Sequence, residues 1–121
     1  FIDALLRGEP LPINGDGSHS RDFTFVGTVC RVILDAVERR VSHPEPVNLA
    51  FGTNTTLLAL VERIEAASGL AADVVHRAAR PGDVRHSQAD NAVLRSLFPD
   101  VEPASLDDGL ADTLAWFKEI S

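Results

Sequence analysis

Apolar residues recur along the chain with two distinct periods. Leu57, Leu60, Val61 and Ile64 fall on one face of a 3.6-residue helix that starts near Thr55 and is closed by Gly69. Leu106, Leu110, Thr113, Leu114 and Phe117 repeat the pattern behind Ser105 and Asp108, which resemble a capping box with aspartate in place of glutamate. Val26, Val29, Cys30, Ile33 and Val37 trace a third face, predicted to be buried, with Thr28 placed to cap its first turn. Shorter helices are expected over residues 1–7, stopped by Gly8 and Pro10, and around Leu94 and Leu97, opened by Asp90 and stopped before Pro99. Extended segments are expected at Leu11-Pro12-Ile13, Phe23 to Val26, Val47 to Ala50 and Ala72 to Val75. Proline at position 12 argues for a sheet edge. The resulting order is α, β, turn, β, α, β, α, β, loop, α, α. It predicts an α/β fold of mixed α+β type, with short strands, packed helices and no internal repeat.

Composition narrows the chemistry. Acidic residues outnumber basic ones 18 to 11, a net charge of -7. Such a field disfavours nucleic acid and anionic membranes, so an anionic ligand needs a local arginine cluster. Cys30 is the single cysteine, which excludes an internal disulfide. Its apolar neighbours predict a buried helical position. No apolar run reaches the roughly 18 residues of a membrane span, and no signal peptide is evident at the start, so a cytoplasmic location is expected. There is no methionine, and Phe1 opens inside an apparent helix without a cap. Both features suggest a piece of something longer, or a start that is not shown.

The candidate chemistry lies in two loops. His19, His43, His76 and His86 lack metal-ligand spacing, so no metal site is expected. There is no tyrosine, no Gly-rich strand-turn-helix loop for a dinucleotide and no nucleophile elbow. Residues 15–23 and residues 80–87 each combine a glycine turn with arginine and aspartate. Arginine grips phosphate oxygens in a fork, and aspartate accepts from vicinal ribose hydroxyls. Plain surface turns, with Arg21-Asp22 as a surface ion pair, are the alternative reading of the same residues. Arg85 fits either the anion site or a solvated face. Trp116 is expected to pack on the last helix, and His76 and His86 to be solvated loop residues. Asn48 is expected to stabilise a strand-to-helix turn, and Arg39 and Arg40 to complement a helix C-terminus.

Four stretches in register carry a family resemblance: GEPLPINGDGSHSRDFTFV, NLAFGTNTTLLALVERI, RPGDVRHSQAD and SLDDGLADTLAWF. Together they resemble the C-terminal part of extended short-chain dehydrogenases/reductases of the NAD-dependent nucleotide-sugar epimerase/dehydratase family, and most of all UDP-glucose 4-epimerase-like members. The resemblance runs from Phe1 to Phe117. It implies that residues 1–121 form a single domain, a C-terminal substrate-binding fragment that is not catalytically competent alone. It implies a UDP- or dTDP-sugar as ligand. Arg21 and Arg80 would grip its diphosphate, Asp83 would hold the ribose, and Pro12 and Asn14 would lie beside the base. It further implies that NAD(P) and the catalytic groups belong to a missing N-terminal Rossmann half, and that this chain itself carries no catalytic, cofactor-binding or metal residues. The alternative implied role is a non-catalytic module that forms a homodimer or pairs with a separate Rossmann partner. The chain departs from the family pattern at Asn14, where an aromatic is usual, and at His19, where glutamine is usual. It departs again at Gly27 and Thr28, in place of an acidic pair, and at Ala92 and Val93, in place of serine-lysine.

Overall fold

The computed structural model describes residues 1–120. Its organising element is a two-stranded parallel sheet. Strand β1 (Leu11–Asn14) pairs with the strand Val74–Arg77 in the register Leu11 to Val74 through Asn14 to Arg77. Period-2 alternation explains the inward face: Leu11 and Ile13 are almost wholly buried, while Pro12 between them is exposed. With only one neighbour, β1 is an edge strand on its other side, and Pro12 is tolerated there without a backbone donor.

Helices cover the buried face. Helix α1 (Ile2–Leu6) precedes β1, and Gly8 ends it with a positive φ of 69°. Strand β2 (Ser20–Arg21) pairs antiparallel with strand β3 (Thr55–Thr56), and helix α2 (Val26–Glu38) lies between them in the chain. Helix α3 (Leu57–Ser68) begins on Thr56, whose side chain accepts from the Ala59 amide at 3.1 Å, and ends on Gly69 in the left-handed conformation. Strand β4 is Val74–Arg77, and helix α4 spans Ala92–Leu97. Helix α5 (Leu106–Ile120) starts at Ser105, whose hydroxyl accepts from the Asp108 amide at 3.1 Å and donates to its carboxylate at 2.6 Å. The main core joins Ile2 and Leu5 of α1, Leu11 and Ile13 of β1, Leu60, Val61 and Ile64 of α3, and Leu110 and Leu114 of α5. A second, smaller cluster joins Val32 of α2 to Leu94 and Phe98. Arg39 extends it by lying over the Phe98 ring at 5.3 Å and donating to the Leu97 carbonyl at 2.8 Å.

The fold is mixed α/β, as the periodicity predicts, but several local readings are corrected. Residues 23–25 and 47–50 form no strand. Both stretches have strand-forming composition, yet neither finds a ladder partner among the described residues. Val47, Leu49 and Phe51 still alternate inward onto the second cluster. The last strand begins at Val74 rather than Ala72, because its ends are set by the register with β1. Helix α2 has the predicted period but turns a different face inward. Thr28 and Val32 are buried, whereas Val26, Ile33 and Val37 are 65%, 56% and 69% exposed and Cys30 is exposed. Thr28 does not cap the helix. It lies within it, and its Oγ1 accepts from the Ala104 amide at 3.0 Å, tying α2 to the approach of α5. Trp116 is 54% exposed and meets Phe117 edge-on with ring centroids 5.0 Å apart. Asn48 donates to the Asp90 carbonyl at 3.3 Å, linking two loops rather than a strand and a helix. Among the described residues no helix is long and apolar enough to cross a membrane, and no cluster of His, Cys, Asp or Glu is arranged to hold a metal.

Truncating the centre of this core is the direct check on it. Ile64, 2% exposed, should cost about 2–5 kcal/mol when changed to alanine. Ile33→Ala on the exposed stripe should cost less than about 0.5 kcal/mol. Chemical denaturation of both variants measures the difference, and equal losses would contradict this assignment of the core.

Candidate ligand-binding site

Because β1 and β4 are parallel, the loops that follow them leave the same end of the sheet. Asn14 runs directly into the first loop and Arg77 into the second. The Gly15 amide donates to the Arg77 carbonyl at 2.8 Å, and His76 Nδ1 lies 2.8 Å from the Gly15 carbonyl. The turn between them requires glycine. Gly15 and Gly17 have φ of 79° and 78°, and a Cβ on Gly17 would sit 2.7 Å from Leu58 Cγ. Asp16 closes the turn by accepting from the Ser18 amide at 2.9 Å and its hydroxyl at 2.6 Å. These bonds, with Arg85 nearby, hold the Asp16 carboxyl below the usual aspartate range.

A second set of contacts joins the loops further on. The Ser20 amide donates to the Arg85 carbonyl at 2.8 Å, the Ser87 amide donates to the Ser20 carbonyl at 3.2 Å, and Ser20 Oγ lies 2.9 Å from His86 Nδ1. Arg21 donates to the Val84 carbonyl at 2.7 Å, to its neighbour Ser20 at 2.9 Å and to Asp83 Oδ1 at 2.9 Å. Asp22 does not pair with Arg21. It accepts from the Gly52 amide at 2.9 Å and the Thr53 hydroxyl at 2.7 Å, fastening a different turn.

Between the loops lies a cavity of about 260 Å³ lined by Gly15, Asp16, His19, Ala79, Arg80, Asp83 and Arg85. Arg80 and Asp83, both singled out from the sequence, are on its wall, and Arg85 joins them. Their chemistry converges. The guanidinium groups of Arg80 and Arg85 make no hydrogen bond or salt bridge among the described residues, and Asp83 keeps its second oxygen free of hydrogen bonds. Arg21 stands behind Asp83 and does not line the cavity. Pro12 and Asn14 lie on β1, outside the wall, with Asn14 half-buried one residue before Gly15. His76 and His86 are exposed, as expected of loop residues, but each makes one of the contacts that hold the loops together. The buried position of His19 has no signal in the sequence: it sits in a polar loop, yet it is 7% exposed in the fold, with Nε2 turned toward Asp83. A larger apolar groove of about 480 Å³ runs past Phe1, Phe23, Phe25, Leu106, Leu110 and Phe117. It offers no converging arginines and is less suited to a charged ligand.

The Asp16 turn makes a pH-dependent contribution of known sign. A depressed folded-state pKa means the stabilisation is present above the ordinary aspartate range and is lost as pH falls through the lowered value. An NMR titration of the carboxyl should find a midpoint below that of a free aspartate. Ser18→Ala should move the midpoint up, and an unchanged value would contradict the assigned cause.

Known proteins resemble this chain in sequence and fold. Residues 1–50 match the model of the NAD dependent epimerase/dehydratase family. The chain is 32% identical over its whole length to UDP-glucose 4-epimerase of Mycolicibacterium smegmatis, covering 38% of that protein. It is 30% identical to dTDP-glucose 4,6-dehydratase of Streptomyces niveus, with 98% of this chain covering 35% of that one. Among solved structures, UDP-glucose 4-epimerase of Thermotoga maritima with UDP-glucose superposes with a TM-score of 0.88 at 32% identity, over 98% of this chain and 38% of that one. UDP-glucuronic acid 4-epimerase of Bacillus cereus with UDP-glucuronic acid and NAD also gives 0.88, at 28% identity, over 99% and 38%. The chain therefore spans about two fifths of the length of the curated relatives it matches. It belongs to the NAD-dependent nucleotide-sugar epimerase/dehydratase family and corresponds to a C-terminal portion of an extended short-chain dehydrogenase/reductase.

Proposed function

We propose that this chain is the nucleotide-sugar-binding portion of such an enzyme, taking a UDP- or dTDP-sugar, and that it performs no chemistry by itself. The observation that carries the reading is the convergence of the two arginine-bearing loops on one cavity, with two unpaired guanidinium groups beside a partly free carboxylate. Arg80, with Arg85, holds the diphosphate by forked hydrogen bonds. Asp83 accepts from a ribose hydroxyl through the oxygen that Arg21 does not occupy. Arg21 reaches the diphosphate only by exchanging its bond to Asp83 for one to phosphate, so in the unliganded chain its work is to hold the second loop in place. The base extends past Asn14 and Pro12 along β1. The residues present do not fit NAD. The chain has no tyrosine, and no strand-turn-helix glycine loop is available for a pyrophosphate. The cofactor is accordingly assigned to the part of the relatives that this chain does not span.

A second reading, an interaction module, is favoured by one observation. Val26, Cys30, Ile33, Leu34 and Val37 leave an apolar stripe uncovered along α2. Such a surface suits a second copy or a separate Rossmann partner.

Calorimetric titration with UDP and a UDP-sugar tests the first reading. Saturable binding is expected, and Arg80→Ala should weaken it by about tenfold or more, in keeping with the loss of a charge-assisted bond of about 1.5–3 kcal/mol. No heat at millimolar ligand would reject binding by this chain. Sedimentation tests the second: self-association that Ile33→Glu abolishes without loss of folding supports it, and a wild-type monomer at high concentration counts against the homodimer.

A further inference from the structure

The wall of the cavity is electrically balanced. Arg80 and Arg85 contribute two positive charges, and Asp16 and Asp83 two negative ones. Arg21 lies behind Asp83, engaged with it and with two carbonyls. The chain as a whole carries -7, which opposes an anion. One wall residue can break the tie. His19 is 7% exposed, and its Nδ1 is buried without any hydrogen-bond partner. Its Nε2 faces Asp83 Oδ2 at 3.9 Å, outside hydrogen-bond reach, and its Cε1 edge lies where a Cβ on Gly15 would come within 2.9 Å. The buried Nδ1 is a polar atom that the unliganded protein leaves unsatisfied.

We propose that His19 couples ligand binding to proton uptake: a nucleotide diphosphate entering the cavity draws a proton onto the ring, and the resulting imidazolium adds the net positive charge that the wall lacks. The proposal rests on the nucleotide-sugar reading above and deepens it by assigning His19 as the residue that sets the pH range of binding. An anion entering the cavity beside the ring favours its charged form. The other charged and titratable groups around it are Asp16 on its own turn, Arg21 on β2, Arg80 and Arg85 on the second loop, and His76 and His86, whose Nδ1 atoms are already engaged with the Gly15 carbonyl and the Ser20 hydroxyl. By linkage, a ring that holds its proton more tightly in the complex gives tighter binding at low pH, and the gain is lost as pH rises through the complex's imidazole titration. Imidazole changes charge between about pH 5 and 8, so the effect falls within the range where the chain can be handled.

The test is a calorimetric titration of the chain with UDP-glucose, whose diphosphate diester does not itself titrate in that range. It is run at about pH 5.5 and pH 8, at constant ionic strength, in two buffers of different ionisation enthalpy. The wild type should take up a proton on binding and bind roughly fivefold or more tightly at the lower pH. His19→Gln should still bind but with no proton uptake and a flat pH profile, while His43→Gln, remote from the cavity, should behave as wild type. Binding without proton uptake in the wild type, or a pH dependence that survives in His19→Gln, overturns the role of His19 and leaves the nucleotide-sugar reading intact. Absence of binding by wild type at both pH values overturns both.

Discussion

The parallel pairing of β1 with β4 is the constraint on which the rest depends. It joins residues 11–14 to residues 74–77 across the whole length of α2 and α3. That closure is costly in chain entropy, and it is offset by burying Leu11 and Ile13 against α1, α3 and α5. The same pairing decides where the candidate site lies. Two parallel strands deliver their following loops to one end of the sheet, so residues 15–21 and 78–87 meet although they are far apart in sequence. The glycine turn, the Ser20 contacts and the Arg21–Asp83 pair then hold a junction that the strands have already brought together.

The second half of the structure is built on a weaker principle. Helix α2 packs inward through Thr28, Val32 and Ala36, with Arg39 at its C-cap, while Val26, Ile33, Leu34 and Val37 face outward. Residues 47–51 are rich in apolar side chains and pack on the second cluster, yet they form no strand. The uncovered part of this half is therefore the helix stripe of Val26, Ile33, Leu34 and Val37.

Much of this was legible in the residues, for identifiable reasons. Helices α3 and α5 carry a clean period, a capping residue and, for α3, a terminal glycine, so local and tertiary preferences agree. Proline in β1 correctly marked an edge. The two loops announced themselves through glycine spacing and paired charges, and Arg80 and Asp83 do reach one cavity. What failed is what depends on partners. The period of α2 identified a helix but not which face is covered, since coverage belongs to the neighbour. Residues 23–25 and 47–50 have strand-forming side chains, but a strand is a hydrogen-bonded pair and composition cannot supply the second member. Arg21 offered a free cation on paper and is instead committed to Asp83 and two carbonyls. The burial of His19 comes from tertiary neighbours such as Asp83, more than sixty residues away, which no local window contains.

The central claim is that the two loops form one ligand site. Amide chemical shifts followed during addition of UDP-glucose test it most directly. Saturable shifts confined to residues 15–21 and 79–87 are expected, with the core of α3 and α5 unmoved. Shifts confined to the apolar groove around Phe25 and Phe117, or none at any ligand concentration, would contradict it.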